Sequence, residues 1–258
     1  MDDSQPLLSL QHLSRTFGGL VAVNDVSCEI YRGEIFGLIG PNGAGKTTLF
    51  NIMTGLIPPT QGQFFLQNQS LVGYQPDQIS QRGIARTFQN IRLFRDLSVL
   101  DNVLIGRHIH IPVKLWPGIL PLPKINNWER VARTEALDIL NLLGLGARQS
   151  EKASHLAYGE QRRLEIARAL AVRPQILLLD EPAAGMNPTE KQELCEFIRY
   201  IQQTFQLTIV LIEHHVPLVM GLCDRIAVLD FGQLIALGKP ETVRQDAAVI
   251  AAYLGDQP

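Results

Sequence analysis

Short, almost wholly apolar runs recur along the chain: Ile35-Phe36-Gly37-Leu38-Ile39, Ile176-Leu177-Leu178-Leu179, Thr208-Ile209-Val210-Leu211-Ile212 and Ile226-Ala227-Val228-Leu229. Runs of that length are too brief for a buried helix and predict strands covered on both faces, as in a parallel sheet. A further strand is expected over 84–88. Near the N-terminus the pattern becomes strict alternation, as in Val26-Ser27-Cys28-Glu29-Ile30, which predicts an antiparallel sheet over about residues 7–33. Between about 90 and 173 a helical period takes over. Over 129–143, Val131, Leu137, Leu140 and Leu143 fall partly on one face. The chain therefore reads as one α/β unit: an antiparallel β part (about 7–33), a mostly parallel core (about 34–89 and 174–258) and an inserted helical subdomain (about 90–173).

Composition bears on partners more than on fold. With 258 residues and 46% hydrophobic content, the chain can bury a sizeable core. A net charge of −2 argues against a surface built to bind nucleic acid. Arg162, Arg163 and Arg168 form the only dense basic patch, which reads as a solvated or interface face. No run approaches the roughly eighteen apolar residues of a membrane span, and Met1-Asp2-Asp3 is acidic where a secretory leader is basic. A cytosolic chain is expected, with any membrane part supplied by other chains. Cys28, Cys195 and Cys223 lack metal or disulfide spacing and read as structural thiols.

Chemistry enters at Gly40-Pro41-Asn42-Gly43-Ala44-Gly45-Lys46-Thr47, which fits G-x-x-x-x-G-K-[ST] between a predicted strand and a predicted helix beginning at Thr48. Glycines let backbone N–H groups converge on phosphate oxygens, Lys46 reaches the β and γ phosphates, and the Thr47 hydroxyl can ligate Mg²⁺. The core is thus expected to be that of a P-loop NTPase. Downstream, the apolar run ends in Asp180-Glu181. Two carboxylates at the C-terminal edge of a parallel strand suit a Mg²⁺ ligand, Asp180, and a base for the attacking water, Glu181. His214 and His215 follow another such strand, but neighbours on a strand end point apart, which disfavours a metal pair.

The segment Leu156-Ala157-Tyr158-Gly159-Glu160-Gln161-Arg162-Arg163-Leu164-Glu165-Ile166-Ala167-Arg168 resembles the signature of the ABC ATPases. Ala157 and Tyr158 stand where Ser and Gly are usual, with Glu160 also altered, and this variant is similar to the ATP-binding subunits of branched-chain and related hydrophobic amino-acid importers. The resemblance covers essentially the whole chain. It implies that Gln89, in Arg86-Thr87-Phe88-Gln89-Asn90, is the glutamine loop that touches Mg²⁺ and links to the membrane partner. Residues 183–188 then take the place of the D-loop, with Asn187 where Asp is usual. His214 is the switch histidine, working with Glu181 and Lys46. It also implies that Phe17 stacks on adenine while Val23 packs on the base's other edge, and that Ala157, Tyr158, Gly159, Glu160 and Gln161 cap the γ-phosphate of a second cassette. Phe17 as simple core filler remains open. The implied ligands are ATP and Mg²⁺. The implied partners are two membrane-spanning permease subunits, a second ABC ATPase chain or copy and, indirectly, an extracytoplasmic solute-binding protein, at the cytoplasmic face of the inner membrane.

Within 106–127, four prolines in Ile111 to Pro123 rule out a long helix. Trp116 and its apolar neighbours suit a docking surface or a loop tucked onto its own domain. Other cargoes, urea or lipopolysaccharide, stay open, as does a soluble ABC ATPase acting on nucleic acid, though the chain has one phosphate loop and no sustained heptads. A P-loop GTPase lacks its N-K-x-D motif here.

Overall fold

The structure, a computed structural model, describes residues 5–110 and 123–254. The chain divides into two compact units, one built on residues up to Ile79 and from Gln175 onward, the other on Ser80–Pro174. The first begins with β1 (Leu8–Phe17), β2 (Leu20–Ile30) and β3 (Ile35–Ile39), then α1 (Lys46–Met53), β4 (Gln61–Leu66), β5 (Gln69–Ser70) and α2 (Pro76–Gln81). Through the second unit run β6 (Ile84–Arg86), α3 (Val99–Arg107), α4 (Pro123–Leu142) and α5 (Tyr158–Leu170). The return adds β7 (Ile176–Asp180), α6 (Pro188–Thr204), β8 (Thr208–Ile212), α7 (Val216–Leu222), β9 (Arg225–Asp230), β10 (Gln233–Gly238), α8 (Pro240–Arg244) and α9 (Ala247–Leu254).

In the first unit, β3, β7 and β8 are buried at all of their positions, as continuous apolar runs require when both faces of a parallel sheet are covered. The order is β10-β9-β3-β8-β7, parallel except for the antiparallel edge strand β10. Register fixes what reaches its C-terminal edge: Leu38 lies opposite Ile212, and Ile212 opposite Asp180. The loops leaving β3, β7 and β8 therefore start at one level, where open α/β sheets bind ligands. The antiparallel sheet is not confined to 7–33. Its order is β2-β1-β4-β5, because Leu8, Leu10, Phe64 and Leu66 put a shared apolar face into the core.

The second unit is helical around α5, and β6 ends at Arg86, two residues before the expected Phe88. Helix α4 begins at Pro123, earlier than the period suggested, and its buried stripe is Ala132, Ala136, Ile139 and Leu140, continuing to Leu143. Val131 is exposed and Leu137 only half-buried. Small alanines, not the larger Val131, face the neighbouring helices here, and α4 is tied to α3 by an ion pair between Arg107 and Glu135 at 2.6 Å.

Candidate active site

Two glycines make the phosphate loop possible. Gly40, at the end of β3, has φ of 149°, and a Cβ there would stand 2.0 Å from the Leu229 carbonyl oxygen. Gly45, the residue before α1, has φ of 99° and leaves 2.3 Å to the Ala22 oxygen. No side chain fits either place. Lys46 is buried at the first position of α1, and its Nζ donates to the carbonyls of Gly40 at 2.8 Å and Pro41 at 2.7 Å. Burial pulls this ammonium below its ordinary pKa, while the Glu181 carboxylate acts in the opposite direction. Neutral carbonyls compensate the charge incompletely, so an incoming polyphosphate is a better partner than the ones it has. The first turn of α1 carries no acidic residue, so nothing offsets its positive N-terminal end.

Above this loop lies a cavity of about 330 Å³, lined by Phe17, Leu20 and Ala22, by loop residues 42–48, and by His214. Phe17 is exposed, and the Arg15 guanidinium sits 4.5 Å from its ring centroid, held by a hydrogen bond to the Pro58 carbonyl at 2.9 Å. One face of the ring is thereby covered, and Phe17 is wall rather than core filler. Val23 does not join it: it is fully buried and absent from the lining. Side chains alternate across a strand, so the apolar contacts beside Phe17 pass to Ala22 and Leu20.

Asp180 is buried at the end of β7. Glu181 follows with φ of 47°, a left-handed backbone that costs a non-glycine residue energy and persists only where surroundings enforce it. Its N–H donates to the Ile212 carbonyl at 2.9 Å, and its Oε1 lies 2.5 Å from Nε2 of His214. The turn thus aims the carboxylate at the histidine delivered by β8. His215 serves otherwise: its Nδ1 accepts from the Leu218 N–H at 3.3 Å, capping α7. Among the described residues no cluster of His, Cys, Asp and Glu suits a metal by number alone. The hydroxyl of Thr47 and the carboxylate of Asp180 are nonetheless hard oxygen donors, the chemistry Mg²⁺ takes when completed by phosphate and water.

The remaining predicted residues belong to the second unit. The Gln89 carbonyl accepts from Arg162 at 2.6 Å, and the Phe88 carbonyl accepts from the same guanidinium at 2.9 Å. Glu165, paired with Arg162, accepts from the N–H groups of Phe88 and Arg92. Ala157 precedes α5, where its N–H donates to Glu160 at 3.0 Å, and Gln161 donates to the Leu156 carbonyl at 2.8 Å. Tyr158 is exposed, and nothing lies within 4 Å of where a Gly159 Cβ would be. The phosphate loop, Phe17, Asp180, Glu181 and His214 thus gather in one unit, and Gln89 with residues 157–161 in the other. Trp116 and the proline-rich stretch around it lie outside the described residues.

Glu213 is not apparent from any motif, and Asn187 has a local role beside the one its place in the chain implies. Asn187 forms a capping box, accepting from Glu190 N–H at 3.0 Å while Glu190 accepts its own N–H at 2.8 Å. The spacing Asn-Pro-Thr-Glu announces it. Glu213, between the β8 strand and His214, is buried and accepts from the Ala183 N–H at 2.7 Å. Its only signal was a carboxylate closing an otherwise apolar run.

The chain is similar to known proteins over nearly its whole length. The ABC transporter family model matches residues 23–184, and a second, described as branched-chain amino acid ATP-binding cassette transporter, matches residues 233–257. The chain is 48% identical to the high-affinity branched-chain amino acid transport ATP-binding protein LivG of Escherichia coli (strain K12), over 98% of this chain and 99% of that one. Identity is 42% to the BraF protein of the same description from Pseudomonas aeruginosa, over 98% and 99%. Among solved structures, the ADP conformation of MJ1267, an ATP-binding cassette of an ABC transporter, superposes with a TM-score of 0.84 at 28% identity, covering 98% of this chain and 100% of that one.

Proposed function

We propose that this chain, which belongs to the ABC transporter family as one of its ATP-binding cassettes, is the ATP-hydrolysing subunit of an importer of branched-chain amino acids. The observation that carries the substrate class is the near-full-length identity with branched-chain amino acid cassettes, joined by the match of the C-terminal residues 233–257 to the corresponding family model. The cassette hydrolyses ATP to drive transport. Supporting Phe17 as the base platform is its exposed ring beside the cavity, backed by Arg15 on one face. In this reading the phosphate loop and the N-terminus of α1 hold the phosphates, Lys46 leaves its two carbonyls for the β and γ oxygens, and Thr47 with Asp180 would hold Mg²⁺. The chemistry such a metal would supply there is positive charge against the phosphates. Glu181 takes the proton of the attacking water and His214 orients it, which their 2.5 Å contact suits.

Two such cassettes close on two ATP molecules, residues 157–161 of each facing the γ-phosphate held by Lys46 of the other. Nucleotide drives closure only to the extent that it binds the closed pair better than the open one. The membrane partners are two permease subunits, fed by an extracytoplasmic binding protein, with this chain peripheral at the cytoplasmic face. Among the described residues no helix is long and apolar enough to cross a membrane. The test is uptake of labelled leucine and valine by cells lacking this chain. Restoration by the wild type and not by Lys46→Ala supports the assignment. Normal uptake in the deletion, with a defect in lipopolysaccharide export instead, overturns the cargo and leaves the ATPase standing.

A further inference from the structure

We infer that Glu213 is a positioning residue for hydrolysis, the side chain that sets Glu181 and His214 against each other. Its carboxylate is buried, 4% exposed. Oε1 accepts from the Ala183 N–H at 2.7 Å and Oε2 from the His214 N–H at 3.2 Å. One group thereby binds the backbone of both arms of the reacting pair: the turn that leaves β7 through Glu181, and the loop that leaves β8 through His214. A buried carboxylate is costly unless it is hydrogen-bonded, and an apolar residue would complete β8 at lower cost. What the charge supplies is geometry.

Glu181 needs such support. Its left-handed φ of 47° relaxes unless its neighbours hold it. The turn around it is closed by Glu181 N–H to Ile212 and by Ala184 N–H to the Glu181 carbonyl at 3.2 Å. Glu213 grips the residue between, Ala183, whose carbonyl in turn accepts from Met186 N–H at 3.2 Å. Ala183 opens the segment through Asn187 that takes the place of the D-loop. Movement of that segment therefore reaches the Glu181–His214 contact through Glu213. Because the catalytic pair is already at 2.5 Å, displacement of either arm by a fraction of an ångström alters the water site without emptying the phosphate loop.

This inference rests on Glu181 and His214 being the hydrolytic pair, and the experiment separates the two. Glu213→Gln is nearly isosteric: its carbonyl oxygen still accepts from Ala183, while its amide N–H₂ is turned against the His214 N–H. Full-length wild type, E213Q and Glu181→Gln are assayed in the same assembly in which the wild type turns over ATP. For E213Q, kcat is expected to fall on the order of ten- to hundredfold, with KM for ATP within about twofold and an unchanged melting transition. A folded E213Q at the wild-type rate, beside an inactive E181Q, overturns the role of Glu213 alone. Wild-type turnover in E181Q overturns the pair and the inference together. A loss of kcat in E213Q accompanied by an equal rise in KM and a lowered melting point marks a merely structural residue and also overturns it. Should E213Q not fold, Glu213→Asp keeps the charge but withdraws it by one methylene. The same kcat-only loss is expected there, and its absence counts against the assignment.

Discussion

At the scale of single residues, burial and backbone conformation decide what each group can do. Burial pushes the Cys28 thiol up to about 12 and raises Cys223 as well; partial burial also raises Cys195, but that thiol is half-exposed where the other two are buried. At pH 8 a thiol near 12 is ionised in roughly one molecule in ten thousand, and thiolate is the reactive form. Iodoacetamide at pH 8 should therefore modify Cys195 first in the folded chain and leave Cys28 and Cys223 untouched until denaturant is added. Peptide mass spectrometry checks the order, and early labelling of Cys28 would contradict its burial. Gly45 offers a sharper case. Alanine there meets the Ala22 carbonyl at 2.3 Å in a positive-φ backbone. Gly45→Ala should lower stability by about 1–3 kcal/mol from the backbone alone and abolish the stabilisation of the melt by Mg-ATP. A variant that still gains stability from nucleotide would show that the loop can move aside.

At the scale of elements, residue patterns that carry chemistry are legible where the chain must meet a fixed geometry. Phosphate needs the glycines and Lys46 at set spacing, and a buried parallel strand must be apolar throughout, so β3, β7 and β8 and the Asp180-Glu181 edge stand out in the sequence. Val23 did not, because placing one residue on a face depends on strand parity, and β1 and β2 pair through register irregularities between Leu13 and Thr16. The face of α4 was missed for another reason: Ala132 and Ala136 are small, and a search for bulky apolar residues ranks Val131 above them. The contacts of Glu213, and those of the Arg162–Glu165 pair with the backbone of 88–92, are tertiary facts, since a charge beside a strand or on a helix says nothing about which backbone group it will meet. That pair makes an element-scale prediction. Side chains of Arg162 and Glu165 are 5% and 1% exposed, and both bind the backbone of 88–92. Glu165→Ala leaves the guanidinium buried without its charge partner and should cost about 3–5 kcal/mol. Hydrogen exchange of the Phe88 and Arg92 amides should rise with it; unchanged protection there would mean that the segment 88–92 is held by other contacts.

At the scale of the whole molecule, the proposed function divides its residues between the two units. Lys46, Asp180, Glu181 and His214 lie in the first, and the exposed N-terminal turn of α5, with open space beside Gly159 and Tyr158 exposed, lies in the second. If that helix end faces the γ-phosphate of another chain, as proposed, it has use only in a pair, and occupancy by ATP should govern association. Glu181→Gln separates binding from turnover: the amide keeps the shape and the contact with His214 but cannot take the proton of water. Hydrolysis should fall by about 10²–10⁴-fold, while the phosphate loop, with Lys46 unaltered, still binds Mg-ATP. The trapped species should sediment as two chains with two nucleotides. Chelation of Mg²⁺ should return it to single chains, since the charge on the phosphates is then no longer neutralised between facing cassettes. Wild type, under the same ATP, should cycle and show the pair only transiently. A Glu181→Gln chain that remains single at saturating Mg-ATP would mean that residues 157–161 do not act across two copies. Pairing with a sister cassette then becomes the arrangement to test, by mixing this variant with the chains that co-purify from the native membrane.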